Sequence, residues 1–236
     1  LRKKGQKIAD KRAEREATEG AVIAITNEEN SKGALIVLNC ETDFVAKNED
    51  FVKFAYSIAQ VALDNMPADL EALKALPLEG KTIGEEVLNQ TGVIGEKIDL
   101  SFYGKEESPY VIPYIHPGNK LATLVSLSKK DIENQIAKDV AMQVAAMSPV
   151  SVDKDNVPQE VIDKELEIGR EIAIQEGKPA AIVDKIAEGK LNKFFKENTL
   201  LNQQFIKDNK ISVGDYLKQA DKELTVNSFI RFALDN

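Results

Sequence analysis

The chain has 236 residues, 43% hydrophobic and 30% charged, enough apolar material for one large core or two modest ones. Its net charge of −8 argues against broad binding along a phosphate backbone, so no direct nucleic-acid contact is expected unless basic residues cluster. The single cysteine, Cys40, excludes an internal disulfide and fits a reducing cytoplasm, and no apolar run approaches the roughly 20 residues that span a bilayer.

The chain opens on Leu1 with no visible secretory signal, and a first residue other than methionine suggests a fragment of something longer. Residues 1–20 form a charged lead-in. It reads as a solvated, partly helical segment, with an RNA-binding arm as the alternative. Two β-branched runs follow, residues 21–25 and 34–38, on either side of a polar turn with Gly33, and predict a hairpin. Asn48 then caps a helix whose apolar face is Phe51, Phe54, Ala55, Ile58 and Ala62. Residues 68–100 read as helical, ending in a short strand over 97–103.

The pattern then repeats. Residues 110–115 and 121–127 are strand-like around the turn His116-Pro117-Gly118-Asn119. Ser128 with Asp131 resembles a capping box opening a helix with Ile132, Ile136, Val140 and Val144 on one stripe. From Pro158, Val161, Ile162, Leu166, Gly169 and Ala173 fall at helical spacing, and Gly177-Lys178-Pro179 supplies a stop and a new start. Ile182, Ile186 and the residues around Leu191 continue as a second amphipathic stretch, giving an antiparallel hairpin of helices. Residues 213–217 predict a short helix or turn, and 228–234 alternates as a half-buried strand should.

This order implies an α+β fold: two related subdomains, each a small antiparallel sheet packed with helices, plus an inserted, coiled-coil-like helical hairpin. The expected boundaries are a lead-in at 1–20, an N-terminal subdomain at 21–105, a C-terminal subdomain at 106–150 with 197–236, and the hairpin at 151–196.

An enzyme has little to work with. The lone histidine, His116, and Cys40 allow a dyad by arithmetic, yet His116 sits in a Pro-Gly turn and Cys40 directly follows an apolar strand. No phosphate loop, zinc spacing or calcium loop occurs, so no cofactor and no metal are expected. The unusual stretch lies between strand and helix, where Phe44 and Val45 occupy a connection that is ordinarily polar. By the residues alone, Phe44 either folds under the next helix or is presented to a partner.

The segment Leu38-Asn39-Cys40-Glu41-Thr42-Asp43-Phe44-Val45-Ala46-Lys47 closely resembles the signature of the bacterial elongation factor Ts family. Further similarities follow in order: LRKKG at 1–5, AMQVAA at 141–146, EGKP at 176–179, IAEGK at 186–190, QF at 204–205 and FIRF at 229–232. The resemblance implies a non-enzymatic exchange factor that binds elongation factor Tu and releases its GDP. It implies that Thr42, Asp43, Phe44 and Val45 form the partner-binding loop. Asp43 and Phe44 would reach the partner's magnesium site, with the Phe44 ring wedged between helices. The first subdomain would face the GTPase domain and the second a β-barrel domain, while the helical hairpin leaves a homodimer open. Val37 stands where the family often has an acidic residue, the family's long-helix histidines are absent from 138–143, and its N-terminal helical module is missing, which bears on exchange efficiency. Burying one phenylalanine contributes roughly 1.5–3 kcal/mol, whereas a thousandfold weakening of nucleotide requires about 4 kcal/mol. The interface is therefore expected to extend well beyond one wedge.

Overall fold

The computed structural model describes residues 6, 7 and 10–234. Of the lead-in, 6–7 and 10–12 are helical, and the remainder of the expectation for 1–5 and 8–9 lies outside the described residues. The chain divides into two compact units, Leu1–Ala145 with Ser228–Asn236, and Ala146–Asn227.

In the first unit, β1 (Glu19–Thr26) and β2 (Lys32–Cys40) form the expected hairpin, antiparallel from Glu19↔Cys40 to Thr26↔Gly33. Asn27 Oδ1 closes the turn by accepting from the N–H groups of Ser31 and Lys32, both at 2.9 Å. The strand β5 (Asp99–Glu107) pairs with the other edge of β2, giving the order β1-β2-β5. This strand is longer than the predicted 97–103 because β2 offers a full-length edge to pair against.

Both faces of this sheet are covered. Ala21, Ile23, Ala34, Ile36 and Leu38 point to the helix Glu49–Asn65, meeting Phe51, Ala55, Ile58 and Ala62. The alternate residues Val22, Ala24, Leu35 and Val37 point the other way, into a layer with Ala122, Phe102, Ile230 and Phe232. A strand buried on both faces has no polar side, which is why the two hairpin runs are continuously apolar. The second layer is the sheet of β6 (Tyr110–Ile115), β7 (Leu121–Leu127) and β10 (Val226–Ala233), in the order β10-β7-β6. It is tied to the first sheet by Val22 N–H donating to Asn119 O at 2.7 Å and Val111 N–H to Asn30 O at 2.6 Å.

Four helices lie between β2 and β5 in the chain: α1 (Asp43–Ala46), α2 (Glu49–Asn65), α3 (Leu70–Lys74) and α4 (Ile83–Ile94). Between α3 and α4 lies a two-residue hairpin, β3 (Pro77–Leu78) and β4 (Lys81–Thr82), turning on Glu79 and Gly80 at φ 52° and 83°. Thr82 and Glu85 then form a capping box for α4, and Gly95, at φ 80°, ends it. The helix α5 (Asn134–Met147) departs from expectation at its start. Ser128 and Asp131 do not cap it, because the chain turns at Lys130, whose carbonyl accepts from Ile132 N–H, and helical bonding begins only at the Glu133 carbonyl.

In the second unit, α6 (Gln159–Gln175) and α7 (Val183–Asn198) form the helical hairpin, joined through Gly177 at φ 73° and a 3₁₀ turn at Ala180–Ile182. Gly169 sets their separation: a Cβ there would lie 3.0 Å from Ala187 Cα. After α7 come β8 (Gln204–Phe205), β9 (Asp208–Ser212) and α8 (Val213–Ala220), where Phe205 stacks on Tyr216 with ring centroids 4.1 Å apart. The architecture is α+β, small antiparallel sheets packed with helices.

Candidate functional site

Residues 41–47 leave the end of β2 and form the single helical turn α1 before Asn48 restarts the chain as α2. Thr42 begins the turn in an extended conformation, its Oγ1 accepting from Val45 N–H at 3.4 Å. Asn48 Oδ1 then accepts from Asp50 and Phe51 N–H at 2.9 and 3.3 Å. Two caps within seven residues fix the path of the backbone on both sides of Phe44.

The direction of each side chain follows from helical geometry. Ala46 is buried and Val45 packs against the core beneath α2. Successive residues of a helix rotate by about 100°, so with 45 and 46 facing inward, Phe44 must face outward. It is 84% exposed. Of the four residues expected to act together, Thr42 and Val45 are thus inward supports, while Asp43 and Phe44 are presented. Asp43 Oδ2 accepts from Lys47 Nζ at 2.8 Å. That hydrogen bond, the Lys47 charge and the Lys120 charge hold the Asp43 carboxyl below the ordinary aspartate range, so it is ionised at neutral pH.

Beside Phe44 lies a groove of about 500 Å³ lined by Phe44, Val45, Phe51, Gln90, Val93 and Ile94. Val93 is 72% exposed at the end of α4. Sequence reasoning read that stretch only as helix and missed Val93; its signal was an apolar residue two positions before a helix-ending glycine, off the buried stripe of Ile83, Val87 and Thr91. It missed Glu96 as well. Glu96 Oε2 accepts from the N–H groups of Glu41 and Thr42, both at 3.1 Å, and Oε1 from the Thr42 hydroxyl at 2.6 Å.

Glu41, next to the loop, collects Lys97 N–H at 2.7 Å, Arg12 at 3.0 Å and Arg15 at 3.2 Å. Desolvation tends to raise its carboxyl, but these hydrogen bonds outweigh it and leave Glu41 below the ordinary glutamate range. Two basic residues of the lead-in are therefore engaged within the protein.

The Cys40–His116 pairing does not form. Cys40 is fully buried, its Sγ donating to Thr42 O at 3.2 Å, while His116 Nδ1 pairs with Tyr114 Oη at 2.9 Å in an exposed turn. Burial, reinforced by the charges of Glu96 and Glu19, pushes the Cys40 thiol up to about 12, too high for a thiolate nucleophile at neutral pH. Among the described residues, no group of three or more His, Cys, Asp or Glu side chains is placed to hold a metal ion. No described helix is long and apolar enough to cross a membrane.

The family described as Elongation factor TS matches residues 41–236. An elongation factor Ts of Christiangramia forsetii is 52% identical over 235 residues, covering 99% of this chain and 85% of that protein. Those of Azobacteroides pseudotrichonymphae and Porphyromonas gingivalis are 47% and 48% identical, each covering 100% of this chain and 85% of the relative. A family match that begins at the presented loop and runs to the last residue, with relatives at this identity, decides the matter: the chain belongs to the elongation factor Ts family of translation elongation factors.

Proposed function

We propose that this chain is a guanine-nucleotide exchange factor for elongation factor Tu, a binding protein that performs no covalent chemistry and works in the cytoplasm. The observation that carries the reading is Phe44: an aromatic ring 84% exposed on a turn whose backbone is capped on both sides. An exposed aromatic on a fixed backbone loses little backbone entropy on docking, which suits it to fill a partner's pocket. Ionised Asp43 stands beside it, a carboxylate brought toward a site where the partner's magnesium ion neutralises nucleotide phosphates. Disturbing that ion's surroundings weakens GDP, and its departure leaves the site open to GTP.

The groove with Val93 and Ile94 extends the apolar contact around Phe44. Burying the ring supplies roughly 1.5–3 kcal/mol, short of the ~4 kcal/mol for a thousandfold effect, so a second contact elsewhere on the chain anchors the complex. The subdomains bounded at 105/106 and 150/151, with the hairpin ending at 196/197, would divide these tasks between GTPase and β-barrel domains. Exposed Ile168, Ile174 and Ile182 on the helical hairpin would serve a homodimer, which sedimentation equilibrium tests.

The exchange reading is tested by loading elongation factor Tu with fluorescent GDP and adding this chain at micromolar concentration. Accelerated release is expected. Release at the spontaneous rate sinks the proposal.

A further inference from the structure

A single helical turn such as α1 has no stability of its own, since nucleating a turn fixes several residues for one hydrogen bond. Something outside the turn must hold Phe44 in its presented direction. The geometry supplies it as a reciprocal clamp between two segments far apart in sequence. Glu96 takes the N–H groups of Glu41 and Thr42 on one carboxylate oxygen and the Thr42 hydroxyl on the other. Glu41 in turn takes the N–H of Lys97.

The Thr42 hydroxyl decides the effect. It has one proton and spends it on Glu96 at 2.6 Å, which leaves a lone pair aimed at Val45 N–H, the cap that starts α1. We propose that Glu96 is the positioning residue of the exchange loop. Its carboxylate orients the Thr42 hydroxyl and holds the 41–42 backbone so that α1 forms and the Phe44 ring stays out of the neighbouring groove. Without this hold, the ring has an apolar surface beside it, Val45, Val93 and Ile94, onto which it can collapse. The inference rests on the exchange reading above.

Two variants test it. Glu96→Gln keeps the shape but replaces one acceptor oxygen with an amide donor that faces two N–H groups or the hydroxyl proton. Thr42→Val keeps the shape and removes the hydroxyl. Both, and the double variant, are titrated as the full chain against elongation factor Tu carrying fluorescent GDP. The readings are the maximal release rate, the half-saturating concentration, the melting temperature, and amide hydrogen exchange over residues 41–48.

For Glu96→Gln the expected result is a fall of tenfold or more in maximal rate with half-saturation within threefold of the parent. Faster amide exchange at Val45 and Ala46, with unchanged protection in β1 and β2, should accompany it. The double variant should lose no more than the worse single one, since both act through one cap. Parent-like maximal rate, or parent-like protection of Val45 and Ala46, overturns the proposal. So does a rate that falls only in step with melting temperature and half-saturation, which would make Glu96 a structural strut. If the parent chain itself fails to accelerate release, the exchange reading is what has failed, and the amide-exchange arm still decides whether Glu96 holds the loop.

Discussion

Phe44→Ala and Phe51→Ala change the same side chain at positions seven apart, and the structure assigns them opposite consequences. Phe44 is 84% exposed, so removing its ring takes away almost no internal contact. The expected change in folding stability is within about 0.5 kcal/mol, or one or two degrees in melting temperature for a chain of this size. Phe51 is 3% exposed beneath the first sheet, and its loss should cost about 3–5 kcal/mol. In the proposed complex the ranking would reverse for Phe44: full burial of the ring would be worth roughly 1.5–3 kcal/mol, which converts to a ten- to ~150-fold loss in stimulated GDP release at about 1.4 kcal/mol per decade. Thermal melts and stopped-flow release on the same samples supply both numbers. A drop of more than about five degrees for Phe44→Ala would mean that the ring is folded into the core, and unchanged release would remove the wedge from the mechanism.

Four further outcomes are expected. Cys40, with its thiol pushed up to about 12, should resist iodoacetamide at pH 8 in the native chain and react fully once unfolded; rapid native alkylation would contradict its burial. The same shift makes the folded state hold its proton where the unfolded thiol, near 8.5, has lost it, so stability should decline as pH rises above about 8.5. Gly20→Ala should lower the melting temperature by several degrees, because a Cβ at φ 155° would meet Leu38 O at 2.2 Å, a backbone atom that cannot step aside; overpacking of this kind costs about 1–3 kcal/mol or more. Glu41, whose folded carboxyl lies below the ordinary range, contributes stability that is whole at neutral pH. It is withdrawn as pH falls below about 4.3 and then through the lowered folded value, so the pH of half-unfolding in acid should move upward in Glu41→Gln.

The elements that sequence reading located best carry their own local signals. The hairpin of β1 and β2 is bracketed by a polar turn, α2 is opened by an Asn cap, and the helical hairpin is divided by Gly177-Lys178-Pro179. Elsewhere the local signals were misleading or too short to read. Ser128 and Asp131 have the residue types of a capping box, but the turn at Lys130 delays α5 to Asn134. The hairpin of β3 and β4 went unseen because each strand has two residues, too few to show a period. At the site, the apolar pair Phe44-Val45 was visible as an anomaly, but periodicity could not tell which of the two faces the core; that depends on the rotation of one helical turn relative to α2. Glu96 was not legible at all. Its partners lie 54 and 55 residues upstream, and nothing in a Gly-Glu-Lys sequence after a helix marks one carboxylate among many as the one that meets Thr42.

The most direct measurement is the coupling itself. GDP affinity of elongation factor Tu is determined with and without a saturating concentration of this chain, and the chain's affinity for the partner is determined with and without GDP. An exchange factor must weaken GDP binding, on the order of a thousandfold or about 4 kcal/mol, and GDP must weaken the chain's binding by the same factor. Equal affinities in the presence and absence of the other ligand would contradict the proposed exchange function outright.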